Sequence, residues 1–302
     1  MPNRRHFIKT TLTGSALLAM PWGANAFFKP ADQRLVILHT NDVHSHIDPF
    51  PENDARYPGM GGFATRAALI SKIRKENDQV LLLDAGDIFQ GTPFFNFYEG
   101  SLELKLMSKM NYDASTLGNH EFDNGIDSLS QQLQYASFPF INSNYDFSGT
   151  LLEGKILPWK VFQKGNIRVG IIGLGLDPKG LIADSNFDGI VYNDPILEGD
   201  ALAQMLKEKE KCHLVIALSH LGFKMDYGRV DDLQLAAKTR YIDIILGGHT
   251  HTFMEEPVIK TNATGKQVLI NQAGQYGVCM GRLDLLIKNE KIKTTATHYE
   301  VK

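Results

Sequence analysis

The sequence predicts an α/β fold, on three observations. Short apolar runs alternate with segments of helical periodicity for most of the chain, the residues just after those runs are Asp, Asn, His and Gly, and the C-terminal tail turns to strands without helices. The predicted strands are Leu35–Thr40, Val80–Asp84, Ala114–Leu117, Phe138–Asn142, Ile167–Leu174, His213–Ser219 and Ile242–Leu246. Between them, Phe63, Ala67, Ile70 and Ile73 recur at helical spacing within Gly62–Lys75. Leu102–Met110, Pro195–Glu210 and Asp231–Lys238 read as further helices. Val268–Asn271, Gly281–Ile287 and Ile292–Tyr299 read as the strands of a closing meander. No Ser/Gly/Pro-rich linker or internal repeat interrupts the chain, which is read as one domain.

Composition narrows the function classes. The chain has 302 residues, 22% charged and 43% hydrophobic, which is globular and excludes collagen-like and disordered classes. A net charge of −3 gives no general attraction to nucleic acid or to an anionic membrane, so neither is expected as a partner. Two cysteines, Cys212 and Cys279, are too few for a disulfide framework or a Cys-based zinc cluster. They read as buried thiols, with one bridge between them left open. The N-terminus carries Arg4, Arg5, Phe7 and Lys9, then a short apolar run from Thr11 to Trp22, then Ala24-Asn25-Ala26. This resembles a twin-arginine export signal with a signal-peptidase site. The expectation is a cleaved segment of residues 1–26, a mature chain of residues 27–302, and a periplasmic or otherwise exported location. No cysteine follows the apolar run, and no later stretch reaches the ~18 apolar residues of a membrane helix, so no stable membrane anchor is expected.

The chemistry lies in the loops that leave the strands, where ligands sit in α/β sheets. These loops read Asn41-Asp42-Val43-His44-Ser45-His46, Asp84-Ala85-Gly86-Asp87, Gly118-Asn119-His120-Glu121-Phe122-Asp123, Ser219-His220 and Gly247-Gly248-His249-Thr250-His251. Carboxylate, amide oxygen and imidazole without thiolate suit Zn²⁺, Mn²⁺ or Fe. Residues at i and i+2, Asp42/His44 and His249/His251, project the same way from an extended loop, so each pair can grip one centre. Seven candidate ligands exceed the needs of one tetrahedral ion and suffice for two ions sharing a carboxylate.

Asp42-Val43-His44, Gly86-Asp87, Gly118-Asn119-His120-Glu121, His220 and Gly248-His249-Thr250-His251 match, in order, the calcineurin-like dinuclear metallophosphoesterases. Asp87-Ile88-Phe89-Gln90-Gly91-Thr92-Pro93 and Gly118-Asn119-His120-Glu121-Phe122-Asp123 resemble the 5′-nucleotidase branch, and the resemblance covers roughly residues 35 to 290. It implies a four-layer α/β/β/α sandwich with two metals at one edge. One divalent ion would take Asp42, His44, Asp87 and His251; the other would take Asp87, Asn119, His220 and His249. Many family members carry Gln where this chain has His251. His120 matches the family's catalytic histidine and Asp123 its partner. The implied reaction is hydrolysis of a small phosphate ester, with nucleotides as candidates, by a hydroxide held between the two ions.

Other features receive structural readings. Glu121 is expected to be a hydrogen-bonding support and His39 and His213 to be structural. His46 has the parity to face the metals, but the family pattern does not use it, and a rim contact is left only as the lesser reading. Phe89, Phe94, Phe95, Phe97 and Tyr98 read mainly as packing residues, with one or two rings available to line the entrance. Gly170–Gly175 lacks dinucleotide-loop spacing. The stretch after His251 holds three strands and little else, so the expectation is a metallophosphatase domain without a C-terminal nucleotide-recognition domain. Two alternatives stay open at this level: a metal-binding subunit that is inactive or unselective until paired with a separately encoded recognition-domain protein, and a related sulfur-ester hydrolase.

Overall fold

Side-chain alternation along the central strands sets the layering. On β1 (Gln33–Thr40), Leu35 and Ile37 belong to one apolar cluster and Val36 and Leu38 to another. The computed structural model describes residues 33–226, 228–288 and 291–302, so the export signal expected at residues 1–26 lies outside the described residues. After β1 come α1 (Phe63–Glu76), β2 (Val80–Asp84), α2 (Pro93–Tyr98), α3 (Ser101–Lys109) and β3 (Ala114–Ser115). The chain continues through α4 (Gly125–Gln132), β4 (Phe140–Ile141), β5 (Tyr145–Asp146), β6 (Ile156–Leu157), β7 (Trp159–Lys164), β8 (Ile167–Gly175) and β9 (Val191–Tyr192). It closes with α5 (Pro195–Glu208), β10 (Leu214–His220), α6 (Asp232–Lys238), β11 (Ile244–Gly247), β12 (Val258–Thr261), β13 (Gln267–Asn271), β14 (Cys279–Lys288) and β15 (Lys291–Glu300).

Two large sheets result. The first has the order β15-β14-β1-β2-β3-β4-β6, and the second β12-β13-β11-β10-β8-β7. Leu35, Ile37, Leu81 and Leu83 from the first meet Val169, Ile171, Leu214, Ile216 and Leu246 from the second in a shared core. The opposite face of the first sheet packs Val36, Leu38 and Leu82 on Phe63, Ile70, Leu104 and Met107 of α1 and α3. The outer face of the second packs Ile172, Leu174, Val215 and Ala217 on Ala203, Leu206 and Leu235 of α5 and α6. The layers are therefore helix, sheet, sheet and helix, as expected. Helix starts follow local chemistry: Asp194 caps α5 ahead of Pro195, accepting from the Ile196 and Leu197 N–H groups, and Asp231 caps α6 through the Gln234 N–H.

The tail differs from the meander expected of it. β13 pairs in parallel with β11 and antiparallel with β12 in the second sheet, while β14 and β15 extend the first sheet from β1. β13 pairs with β11 and β14 with β1, so the chain crosses from one sheet to the other at residues 272–278, while Leu269 and Leu283 still meet in the core between the sheets. β3 and β4 are shorter than their apolar runs. Both cysteines are free; Cys212 is buried and Cys279 only half-buried. Among the described residues, no helix is long and apolar enough to cross a membrane.

One close approach locks the two sheets. A Cβ on Gly173 of β8 would overlap the Ile141 carbonyl of β4. Gly173→Ala is therefore expected to destabilise the fold by about 3 kcal/mol or more, read as a lowered midpoint in urea denaturation. A midpoint within error of the wild type would show that the sheets separate there at no cost.

Candidate metal centre

All the strand-end residues singled out by sequence gather at one edge, where β1, β2, β10 and β11 end and the chain leaves β3. The backbone there is unusual. Asp42, His44, Ser45, Asp87, His249 and His251 all have positive φ, between 50° and 71°. Non-glycine residues rarely adopt this conformation, and it concentrates where function requires it. The loop after β1 is therefore not extended as expected. Asp42 and His44 still converge, because left-handed residues fold the loop back on itself.

The side chains form two groups. In the first, His251 Nε2 lies 3.2 Å from Asp42 Oδ1 and 3.0 Å from His44 Nε2. In the second, His220 Nε2 lies 3.0 Å from Asp87 Oδ2, and His249 Nδ1 lies 3.0 Å from Asn119 Oδ1. Ligand atoms of Asp42, His44 and His251, of Asp87, His220 and His249, and of His44, Asp87 and His120 lie within 4.8 Å of one another in each set, so each could hold an ion. His249 and His251 thus fall in different groups, so this i, i+2 pair does not grip one centre. The left-handed turn at both residues sends the rings apart.

The donor chemistry fits divalent cations. His220 Nδ1 donates to the Ala85 carbonyl at 2.7 Å, which leaves its Nε2 lone pair facing inward. That Nε2 is buried and faces Asp87 without the alignment of a hydrogen bond. His44 Nδ1 sits 3.3 Å from the Phe89 carbonyl and likewise aims its Nε2 at the centre. Paired acceptor atoms facing one another in a buried site call for a cation between them.

The electrostatics agree. Burial alone would keep Asp87 neutral, but the adjoining His220, His44 and His120 hold it well below the usual carboxylate range. Burial opposes charge on His220, yet the Asp87 and Asp42 carboxylates push its pKa up to about 10. Burial and the His220 charge lower His249 to about 4. At His120, burial is outweighed by the Asp123 hydrogen bond and the Asp87 charge, which raise its pKa to about 9. His120 Nδ1 lies 2.8 Å from Asp123 Oδ2, and both side chains are about one-third exposed.

Glu121 is the support that its residue type implied. Its buried carboxylate accepts from the backbone N–H groups of Gly118 at 2.5 Å, Ile88 at 2.7 Å and Asp87 at 3.0 Å. Asp84 accepts from Thr40 Oγ1 at 2.6 Å and Ser115 Oγ at 3.0 Å, tying together the ends of β1, β2 and β3. His39 is buried within β1, and His213 accepts from the Arg168 N–H at the start of β10; neither reaches the centre. His46 stacks between Phe50 and Tyr276 rather than joining a ligand group. Phe89 and Phe95 are buried, whereas Phe97 is 81% exposed.

Sequence reading missed the loop after β13. Gln272 donates to the Gly248 carbonyl and accepts from the Thr252 N–H, Asn41 bonds both Ala273 and Gly274, and the Tyr276 N–H donates to the Asp42 carbonyl. Its signal was the same as elsewhere: polar residues, Asn271-Gln272, directly after an apolar strand.

Comparison with known proteins places this edge in context. The chain is 34% identical over 276 residues to a snake venom 5′-nucleotidase of Crotalus adamanteus, covering 85% of this chain and 46% of that protein. It is 34% identical over 291 residues to the 5′-nucleotidase of Homo sapiens, covering 89% and 49%. The crystal structure of a 5′-nucleotidase precursor from Thermus thermophilus superposes with a TM-score of 0.78 at 31% identity, over 88% of this chain and 54% of that one. The chain thus spans about half the length of the curated relatives it matches. Residues 35–253 match the calcineurin-like phosphoesterases, and the chain belongs to that family of metal-dependent hydrolases.

Proposed function

We propose that the chain is an exported, two-metal phosphoesterase that hydrolyses phosphomonoesters of the nucleotide type. The observation that carries this reading is the placement of Asp87, which shares one ligand set with His220 and His249 and another with His44, and so stands between the two donor groups. Asp42, His44, Asp87 and His251 would hold one divalent ion, and Asp87, Asn119, His220 and His249 the other. The all-nitrogen-and-oxygen donor set suits Zn²⁺, Mn²⁺ or Fe. When bound, such ions neutralise phosphoryl oxygens and acidify a water molecule.

The chain's own groups supply positioning and proton transfer. Asp123 holds the Nδ1–H of His120, so the Nε2 proton is presented to the phosphoryl or leaving oxygen. The backbone N–H of His120 donates to Asp87 Oδ1 at 2.9 Å, which fixes the side chain's origin relative to the Asp87 carboxylate. Asn119 is neutral, which limits repulsion of an anionic substrate. Export is supported by the N-terminal signal pattern and by a relative found in venom. The nucleotide class is supported by the 5′-nucleotidase relatives.

Purified mature protein, analysed for metal and assayed on phosphate mono- and diesters, tests the reading. Chelation is expected to abolish turnover, and Mn²⁺ or Zn²⁺ to restore it; turnover that survives complete metal removal would refute the two-metal reading. Asp87→Asn is expected to lower both metal content and turnover, because one carboxylate serves both groups. His120→Asn is expected to keep its metal while turnover falls about 10²–10⁴-fold. Equal metal loss in the two variants would contradict the roles given to them. Glu121→Gln places an amide N–H among backbone donors and is expected to weaken metal affinity about 10–100-fold, measured by calorimetric titration with Mn²⁺; unchanged affinity would make Glu121 a folding residue alone.

A further inference from the structure

A file of aromatic rings leads outward from the metal centre. The Tyr276 ring lies 5.9 Å from His44 and 6.3 Å from His251, and Tyr57 lies 6.3 Å beyond it. Phe253 lies 6.2 Å from Tyr57 with the rings only 29° from parallel. Tyr276 is half-buried, Tyr57 behind it is buried, and Phe253 at the outer end is 42% exposed. A cleft of about 280 Å³ opens beside Tyr57 and Phe253, with Arg56 and Glu255 among its polar lining.

Two backbone features hold this file in place. Tyr276 has φ 60°, which is rare for so bulky a side chain, and its N–H is tied to the Asp42 carbonyl at 2.7 Å. Gly274 has φ 73°, and a Cβ there would overlap the Phe253 ring, so the ring lies against the backbone at that point. Asn41, next to Asp42, donates to the Gly274 carbonyl at 2.7 Å. The wall is thus bolted to the same loop that carries Asp42. Phe253 stands two residues from His251, within about 7 Å along the chain.

We infer that Tyr276, Tyr57 and Phe253 form the contact wall for the leaving group, and that it takes a planar aromatic or heteroaromatic ring carried by the phosphate ester. A ring stacked there keeps its polar edge toward Arg56 and Glu255 while its phosphate reaches the donor groups. The inference rests on the phosphoesterase reading and adds the class of leaving group and the residues that select it.

The test compares AMP with ribose 5-phosphate, two esters with the same leaving oxygen that differ by the base. With metal-loaded full chain, Phe253→Ala is expected to lower the ratio of kcat/KM for AMP over ribose 5-phosphate about tenfold, through KM. Phe253→Tyr is expected to keep the wild-type ratio. An unchanged ratio in Phe253→Ala, or a parallel fall on both esters, overturns the inference. Phenyl phosphate against ethyl phosphate, read as the variant-to-wild-type ratio for each, shows whether a simple aryl ring is taken as well as a base. Turnover of none of these esters by the wild type would refute the phosphoesterase reading instead. Calorimetric titration of the metal-loaded protein with adenosine then tests the wall by itself. Binding by the wild type that Phe253→Ala loses supports it, and binding that the two share, or none by the wild type, overturns it.

Discussion

A carboxylate cannot be buried without company, and Asp87 is only 2% exposed at the junction of two donor groups. Asp42 is fully buried beside it, and Glu121 is nearly so. Among the described residues, the ion pairs formed by Asp42 and Asp87 are with imidazoles alone, His44, His220 and His251. Without bound cations, protons on the histidines answer this negative charge, which is why His220 binds its proton so tightly, whereas His120 holds its own first through Asp123 and then through Asp87. Divalent ions answer it better, because each can replace protons while using the inward lone pairs of several rings. The accumulation of anions, the fixed tautomers and the absence of Lys or Arg partners are three consequences of one requirement.

That requirement is met at a cost in backbone conformation. Left-handed non-glycine residues cost of order 1–3 kcal/mol each, and several of the proposed ligands adopt that conformation. The loops hold it because their ends are fixed. The β1 and β2 ladders run to Thr40 and Asp84, and beyond them the Asp42, His44 and Ser45 N–H groups bond to the carbonyls of Gly86, Asp87 and Ile88. Glu121 then clamps the second loop from below by accepting its N–H groups. The sheet cores therefore stabilise the site indirectly, by giving strained loops no relaxed alternative.

How much of this could be read from sequence follows from which signals are local. Strand-end polar residues are local, so Asp42, Asp87, Asn119, His120 and His220 stood out as single positions, and the structure brings them to one edge. The α/β alternation was equally plain in β1, β2, β8, β10 and β11, whose apolar runs are long. β7 and β12 were missed because they are edge strands with mixed patterning, and Val258–Thr261 is mostly exposed. The sheet membership of β13, β14 and β15 is a property of distant partners, which no window along the chain contains. Tyr276 was invisible for a related reason: its importance comes from a backbone bond to Asp42, far away in sequence, and from a φ value that its residue type disguises.

The turn at residues 118–123 shows how such a site divides labour within a few residues. Asn119 faces His249 in one donor group, whereas the next residue, His120, turns its ring toward Asp123 and partial solvent exposure. Glu121 then points back beneath Asp87, and Phe122 is fully buried against Phe187 and Tyr145. The short 3-10 helix at His120–Phe122 makes this divergence, since successive residues are rotated by about a third of a turn. The metal grip and proton delivery proposed for Asn119 and His120, the carboxylate support of Glu121 and the core anchoring of Phe122 are thus set by one rotation each. A one-residue slip here would carry the imidazole into the place of Glu121 beneath Asp87 and the phenyl ring out of the core into the exposed place of Asp123. The motif is compact for that reason, and its anchor, Phe122, is as much a part of the chemistry as the histidine it holds in place.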